Sequence, residues 1–103
     1  MTPFGSRLSR IRHHARMTQE ELARKAGVPQ QSISAYERGF RTSPTLQNLQ
    51  SLASALNVSP LDLDPELGAV IPADLHPLVS SWPALSGREQ KIILAVIRQV
   101  LRT

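Results

Sequence analysis

The sequence predicts an all-α fold, and three observations support this prediction. Hydrophobic residues make up 41% of the 103-residue chain but aromatic residues only 4%, so the core must consist of Leu, Ile, Val and Ala, a mixture that favours helices. Apolar residues recur at helical spacing in several segments. Thr18 and Ser86 each precede such a segment and are followed three positions later by Glu, the pattern of a capped helix start.

The first segment, about Phe4 to Ala15, is predicted to be an amphipathic helix. Arginines surround its apolar stripe, which consists of Phe4, Leu8, Ile11 and Ala15. The net charge is +4, and most of the excess lies before residue 42. The basic residues of this part are Arg7, Arg10, Arg12, Arg16, Arg24, Lys25, Arg38 and Arg41. A basic surface suits nucleic acid or an acidic partner, although many small proteins are basic only for solubility.

Two short helices are predicted next. The second helix begins after Thr18, whose capping box includes Glu21. It ends just before Gly27, because glycine readily adopts the left-handed conformation that closes a helix. The third helix is expected from Gln30 to Arg38. It follows Pro29, which fixes the backbone dihedral before the helix but supplies no side-chain cap.

Two further helices complete a predicted bundle. Thr45 is expected to cap the fourth helix, and Ser59, with Pro60 and Asp62, the fifth. Their apolar residues are Leu46, Leu49, Leu52, Ala53 and Leu56 in the fourth helix, and Leu61 and Leu63 in the fifth. Five helices within residues 1–64 indicate a compact bundle. We therefore predict that residues 1–64 form one helical domain.

The remaining residues divide into two predicted parts. Residues 65–85 contain prolines at positions 65, 72, 77 and 83 and are predicted to be a Pro-containing linker with room for one short helix. Residues 86–103 are predicted to form a C-terminal amphipathic helix. Its apolar stripe consists of Ile93, Val96, Ile97, Val100 and Leu101, widened by Ile92 and Leu94, whereas Arg88, Lys91, Arg98, Gln99 and Arg102 share the opposite face.

Such an apolar helix needs a partner surface, and the sequence leaves three candidates. The helix can pair with its copy in a homodimer, bind another protein, or fold back onto the bundle. We favour fold-back combined with partial burial in a dimer, because the linker is short and its Trp82 needs an apolar environment. The residues assigned to dimer or partner contact are Trp82, Ile93, Val96, Ile97, Val100 and Leu101.

Two short helices joined by a tight glycine turn are the components of a helix-turn-helix. Gly27 provides the positive φ with which the third helix crosses the second. Gln30 and Gln31 then stand at the exposed start of the third helix. A glutamine amide can both donate to and accept from adenine N6 and N7 in the major groove. Exposed glutamines are more commonly just solvated, so the interpretation depends on the surrounding pattern.

That pattern resembles the lambda-repressor-like (Cro/CI-type, XRE family) helix-turn-helix proteins of bacteria and phages. The resemblance covers about residues 4–64, in "LSRIRHHARMTQEELARKAGVPQQSISAYERG" and "PTLQNLQSLASALNVSPLDL". It implies a five-helix bundle, here with a C-terminal helical extension, that binds double-stranded operator DNA as a homodimer.

The resemblance also implies roles for individual residues. Base contacts fall on Gln30, Gln31, Ser34 and Ala35. Contacts with the DNA backbone fall on Gln19, Arg41, Thr42, Ser43 and Thr45, and Gln19 is also placed to reach a base edge. From the basic residues near these positions we assign Arg10 and Arg38 to the DNA backbone as well. Arg12 and Glu37 match a structural ion pair of some phage members. Pro29 departs from the Ser or Thr that caps the third helix in many members, which affects where that helix starts.

Several classes of function are not indicated by the sequence. The chain contains no cysteine, which excludes disulfides and thiolate metal sites. His13, His14 and His76 have no acid or cysteine at metal-ligand spacing, and no serine belongs to a recognisable catalytic motif. We therefore expect no metal, no cofactor and no enzymatic activity. The absence of a long apolar run predicts no membrane contact and a cytoplasmic protein, nucleoid-associated when bound to DNA.

Two functions from different classes follow. The first is a sequence-specific transcriptional regulator, a repressor that binds a palindromic operator as a dimer through the helix Gln30–Arg38. The alternative is a protein-interaction module or antitoxin that uses its apolar C-terminal helix to bind a partner protein.

Overall fold

The computed structural model describes residues 2–101, and within that range it contains helices and no strand. Its eight α-helices are α1 (Pro3–His14), α2 (Gln19–Ala26), α3 (Gln30–Glu37), α4 (Leu46–Leu56), α5 (Pro60–Leu63), α6 (Leu67–Val70), α7 (His76–Ser80) and α8 (Gly87–Leu101). Two short 3₁₀ helices lie at Ala73–Leu75 and Trp82–Ala84. The prediction of an all-α fold is confirmed.

Local side-chain chemistry fixes most of the helix starts. At α2, the Glu21 backbone N–H donates to Thr18 Oγ1 and the Thr18 N–H donates to Glu21 Oε1, both at 3.0 Å. Ser86 and Glu89 form the same reciprocal pair at α8. The hydrogen bond from the Thr18 backbone lowers the pKa of Glu21 below its ordinary value. These boxes satisfy backbone N–H groups that the first turn of a helix leaves without partners.

Two predicted boundaries differ slightly from the structure. The first helix begins at Pro3 rather than Phe4, because Thr2 caps it by accepting the Gly5 N–H at 3.1 Å. The third helix ends one residue before Arg38, which serves as its C-cap. Gly27 adopts the predicted left-handed conformation, with φ of 67°.

The bundle formed by α1 to α5 has an aliphatic core with one aromatic pair. Leu8, Leu22, Ile33 and Leu52 are fully buried at its centre. The Phe4 ring stands edge-on to the Tyr36 ring, with centroids 5.3 Å apart. Such edge-to-face pairs add to the stability gained by burying the rings. They hold α1 against the C-terminal half of α3 and so fix the orientation of α3 in the bundle.

The segment after residue 64 is more structured than the predicted linker. It contains α6, α7 and both 3₁₀ helices, and it packs onto the bundle as part of the same apolar core. Trp82 is 0% exposed, and its Nε1–H donates to Ser54 Oγ at 3.2 Å. Ser59 Oγ donates to the Val79 carbonyl at 2.7 Å. These bonds tie α7 and Trp82 to α4 and α5.

The C-terminal helix folds back on the bundle. Ile93, Leu94 and Ile97 are buried against it, and the Gln90 amide donates to the Trp82 carbonyl at 3.0 Å. Residues Arg102 and Thr103 of the predicted helix lie outside the described residues. None of the helices described is both long enough and apolar enough to cross a membrane.

Candidate nucleic-acid interface

The centre of the candidate interface is the pair α2 and α3. The connection is Gly27, Val28 and Pro29, and only Val28 of these is buried. Because Gly27 turns the chain with a positive φ and Val28 anchors the turn in the core, α3 leaves the turn with its first residues pointing to solvent. This is the geometry that the helix-turn-helix pattern predicts.

The four residues assigned to base contacts lie on the outer part of α3. Gln30 and Gln31 occupy its first two positions and are exposed, whereas Ser34 and Ala35 are half-buried. Ile33, Tyr36 and Glu37 face the interior. A surface that presents amides, a hydroxyl and a methyl group carries the donors, acceptors and apolar contacts that base edges in the major groove require.

The predicted ion pair forms a buried network behind this surface. Arg12 Nε donates to Glu37 Oε2 at 2.7 Å and Arg12 Nη2 donates to Glu37 Oε1 at 2.8 Å. The two side chains are 9% and 7% exposed. Arg12 Nη1 also donates to the Met17 carbonyl at 2.8 Å, before α2. The bidentate pair therefore links the ends of α1 and α3 to the start of α2.

The network also holds the side chain of Gln19 in place. Its Nε2 donates to Glu37 Oε1 at 3.1 Å, so the side chain is held at the edge between α2 and α3. Burial opposes the ionisation of Glu37, but the hydrogen bonds from Arg12 and Gln19 outweigh it, and the pKa of Glu37 lies below its ordinary value. Glu37 is thus a carboxylate at neutral pH. Glu37 therefore positions the Gln19 side chain, whose second N–H and carbonyl oxygen can still form another hydrogen bond.

Apart from Gln19, the residues assigned to the DNA backbone lie on α1, at the end of α3 and in the loop that leads to α4. Arg10, Arg38, Arg41, Thr42, Ser43 and Thr45 are all exposed. Thr45 Oγ1 accepts the Asn48 N–H at 3.1 Å and so caps α4, as predicted from the sequence. The hydroxyl can still donate its own proton, so capping does not prevent a phosphate contact.

Two of these arginines stack on aromatic rings. The Arg38 guanidinium lies 4.7 Å from the centroid of Phe40, and that of Arg41 lies 5.8 Å from the centroid of Tyr36. The Phe40 ring is 74% exposed. Cation–π contacts restrict the orientation of an arginine without using its N–H donors, so both groups remain able to bind an anion.

Two features of the structure were not predicted from the sequence. Phe40 was not assigned a role, although a phenylalanine beside three basic or hydroxyl residues is a signal that the sequence contains. Arg98 was assigned only to the polar face of the last helix. Its Nη2 donates to Gln47 Oε1 at 2.7 Å, across 51 residues of sequence, and no local pattern predicts a contact of that span.

The residues assigned to dimer or partner contact fall into two groups. Trp82, Ile93 and Ile97 lie in the chain's own core, whereas Val96 and Leu101 are exposed. Val100 is half-buried. The exposed part of the predicted contact is therefore narrower than the full apolar stripe, although Ile92, at 57% exposure, extends it.

Two of the three histidines have structural partners nearby in the sequence. His13 Nδ1 lies 2.7 Å from the Ser9 carbonyl, and His76 Nε2 lies 2.7 Å from the Gly68 carbonyl. Across residues 2–101, no group of three His, Cys, Asp or Glu side chains is arranged to hold a metal ion.

The comparison with protein families agrees with this geometry. The model of the Helix-turn-helix family matches residues 8–63, more than half of the chain. The chain belongs to the lambda-repressor-like helix-turn-helix family. The matched segment runs from within α1 to the end of α5, so the family region includes α2, the Gly27 turn and α3.

Similar members of the helix-turn-helix family are named as transcriptional regulators. The chain is 44% identical over 59 residues to the uncharacterised HTH-type transcriptional regulator y4dJ of Sinorhizobium fredii, a match that covers 57% of this chain and 75% of that protein. It is 36% identical over 56 residues to the HTH-type transcriptional regulator SinR of Bacillus subtilis, which covers 54% of this chain but only half of SinR.

A solved structure extends the similarity beyond the family region. A chain of the SinR protein/SinI protein complex superposes with a TM-score of 0.58 and 25% sequence identity. The match covers 97% of this chain and 99% of that one. The all-helical arrangement, including the part after residue 63, thus has a counterpart in another helix-turn-helix protein.

Proposed function

We propose that this chain is a sequence-specific DNA-binding repressor that recognises a palindromic operator as a homodimer. In this proposal α3 enters the major groove, and Gln30, Gln31, Ser34 and Ala35 contact base edges. The two α3 helices of a dimer lie about 34 Å apart, one turn of the duplex. The protein acts without an enzymatic step or a cofactor, in the cytoplasm and on the nucleoid.

One observation carries the proposal: α3 and the loop that follows it, residues 30–45, expose basic groups, whereas the acid of this segment is buried. Arg38 and Arg41 are exposed at the end of α3 and just after it, and Glu37 is buried in its pair with Arg12. The charge that this segment exposes is therefore positive, and positive charge attracts the phosphate backbone. Polar side chains that can contact base edges, next to exposed arginines, support binding to double-stranded DNA over binding to a neutral protein surface.

Selection of bound sequences from a random duplex pool tests the proposal. The mass of the protein on the recovered sequence is then measured by light scattering. We expect an inverted repeat that binds two chains, with an affinity that falls steeply as salt rises. A folded chain that enriches no sequence would refute sequence-specific binding, and one chain on an asymmetric site would refute the dimer.

Two variants test the assignment of base contacts. Replacing Gln30 and Gln31 together with Ala is expected to relax base preference and to weaken binding to the selected sequence. The expected loss is about 1–3 kcal/mol for each glutamine that forms a bidentate pair with a base. Gln99→Ala is the matched control for base preference, because Gln99 is exposed on α8 and is not among the residues assigned to base contacts. Equal effects of the two substitutions on sequence preference would contradict the assignment.

A second candidate function is protein binding through α8, as in an antitoxin. Ile92, Val96 and Leu101 are exposed on that helix, and the similar solved structure is of a complex between two proteins, SinR and SinI. Exposed apolar groups on one helix favour either a second copy of the chain or a partner helix.

The molecular mass measured by light scattering distinguishes a second copy of the chain from a partner protein at this surface. Wild-type protein that is dimeric alone, and monomeric when Val96 and Leu101 are replaced with Ser, assigns the surface to a second copy. A wild-type monomer would instead favour a partner protein at this surface.

A further inference from the structure

The last helix reaches the part of the molecule that is assigned to the DNA backbone. Arg98 Nη2 donates to Gln47 Oε1 at 2.7 Å. Gln47 lies in the first turn of α4, two positions after Thr45, which follows the backbone-contact loop of Arg41, Thr42 and Ser43. The C-terminal part of α8 therefore packs beside the start of α4 and not at the opposite end of the bundle.

This side of α8 carries positive charge that forms no salt bridge with an acid among residues 2–101. Lys91 and Arg98 stand about two helical turns apart, and both line a groove of about 470 Å³ between α8 and α4. Both are exposed. The salt bridge within residues 2–101 joins Arg12 and Glu37 and involves neither Lys91 nor Arg98. The acid of α8, Glu89, instead forms hydrogen bonds with Ser86 at the start of the helix.

The hydrogen bond to Gln47 leaves Arg98 able to bind an anion. A guanidinium carries further N–H donors in a planar fork that matches the oxygens of a phosphate. The hydrogen bond to Gln47 fixes the orientation of the Arg98 guanidinium, so that less freedom is lost when it binds an anion. The other residues that line the groove are Gln50, Gln90, Gly87 and Leu94, and none of their side chains carries a charge that repels a phosphate.

We propose that Arg98, with a smaller contribution from Lys91, contacts the DNA sugar-phosphate backbone beside the first turn of α4. The inference rests on the proposed function, because it adds a contact to the same DNA complex. It gives the C-terminal helix a part in DNA binding in addition to any part in assembly. It also implies that a protein covering this groove competes with DNA for Arg98.

Salt-dependent titration of a labelled duplex of about 20 base pairs tests the contact. Fluorescence anisotropy gives the Kd over a range of salt concentrations for the wild type, Arg98→Gln and Arg88→Gln. Arg88 is the matched control, because it is exposed on the same helix but is not among the residues that line the groove. We expect Arg98→Gln to weaken binding about three- to tenfold and to lower the salt slope by about one per protomer. Arg88→Gln should change both much less.

Two further variants separate a phosphate contact from a structural effect. Arg98→Lys keeps the charge and is expected to retain most of the salt slope. Gln47→Ala removes the residue that orients Arg98, and it should weaken binding while leaving the slope nearly unchanged. Thermal unfolding of each variant verifies that the fold is intact.

The outcomes distinguish this inference from the function on which it rests. Equal Kd values and slopes for Arg98→Gln and Arg88→Gln would overturn the contact, even if Arg41→Gln weakens binding and so supports the proposed function. A slope that Arg98→Lys lowers as much as Arg98→Gln would also overturn it. A wild type that does not bind the duplex would overturn both.

Discussion

The bundle of α1 to α5 and the extension after residue 64 are held in place by different means. In the bundle, local caps and turns start or end the helices: Thr18, Gly27, Thr45 and Ser59 each act within a few residues of sequence. In the extension, α6 and α7 have only four and five residues and no side-chain cap. Helices that short are not stable alone, so tertiary contacts determine their position.

Those tertiary contacts converge on Trp82 and on the polar side chains around it. Ser54 and Gln90 bond to its indole N–H and its carbonyl, and Ser59 holds the neighbouring Val79 carbonyl. The difference indicates that the bundle supplies a surface on which the extension folds. The extension in turn covers α4 and α5, and the apolar core runs through both parts.

The largest expected effect comes from Trp82→Ala, which breaks the contact between the two regions. Truncating a fully buried Trp costs about 3–5 kcal/mol, and we expect the free energy of unfolding in urea, followed by circular dichroism, to fall by that amount. A matched control is Leu78→Ala, since Leu78 is 46% exposed. Two separate transitions in the wild type, with Trp82→Ala affecting only one, would show that the regions do not fold as a unit.

A second large effect is expected within the bundle alone. Glu37→Gln leaves the buried Arg12 without its anion, and removing one partner of a buried pair costs about 3–5 kcal/mol. The double variant Arg12→Met with Glu37→Leu, which removes both charges, should regain most of that stability. A double variant as unstable as Glu37→Gln would show that packing, and not the unpaired charge, causes the loss.

The same pair predicts a dependence of stability on pH. The pKa of Glu37 is lower in the folded chain than in the unfolded one, so the unfolded chain binds more protons as pH falls. The contribution of Glu37 to stability is full above its unfolded pKa, about 4.3, and is lost as pH falls through the folded pKa. The free energy of unfolding of the wild type should therefore decrease below about pH 4.3 more steeply than that of Glu37→Gln. Parallel curves would contradict the shift.

The smallest effects compare the same chemistry in both regions. Thr18→Ala and Ser86→Ala each remove the N-cap of a capping box, and each should lower the free energy of unfolding by about 1 kcal/mol. Equal losses are expected if both regions unfold together. A loss from Thr18→Ala only would indicate that α8 frays before the bundle unfolds.

The two regions also differ in how far the sequence predicts them. Every helix start in the bundle follows from a cap or proline, and the family resemblance, which the family model now supports, assigns its fold. The ion pair of Arg12 and Glu37 was implied by that resemblance and is present at 2.7 Å. The extension was only partly predicted: α8 was expected from Ser86 and its apolar stripe. The additional helices at 67–84 were not, because prolines there end short helices and also begin them.

The candidate site likewise contains features that local sequence predicts and features that it does not. The exposure of Gln30 and Gln31 was predictable from local periodicity and the Gly27 turn. The fixing of Gln19 by Glu37, and the approach of Arg98 to Gln47, depend on how distant segments pack. Sequence spacing on one helix cannot reveal contacts of that kind.

The central claim is that α3 and the loop that follows it bind DNA. Its most direct test is a titration of ¹⁵N-labelled protein with the selected duplex. We expect the largest chemical-shift changes for the side-chain amides of Gln30 and Gln31 and for the backbone amides of Arg41, Thr42, Ser43 and Thr45, as these groups approach the duplex. Shifts confined to the exposed residues of α8, with Gln30 and Gln31 unchanged, would contradict the claim and assign the protein's binding surface to its last helix.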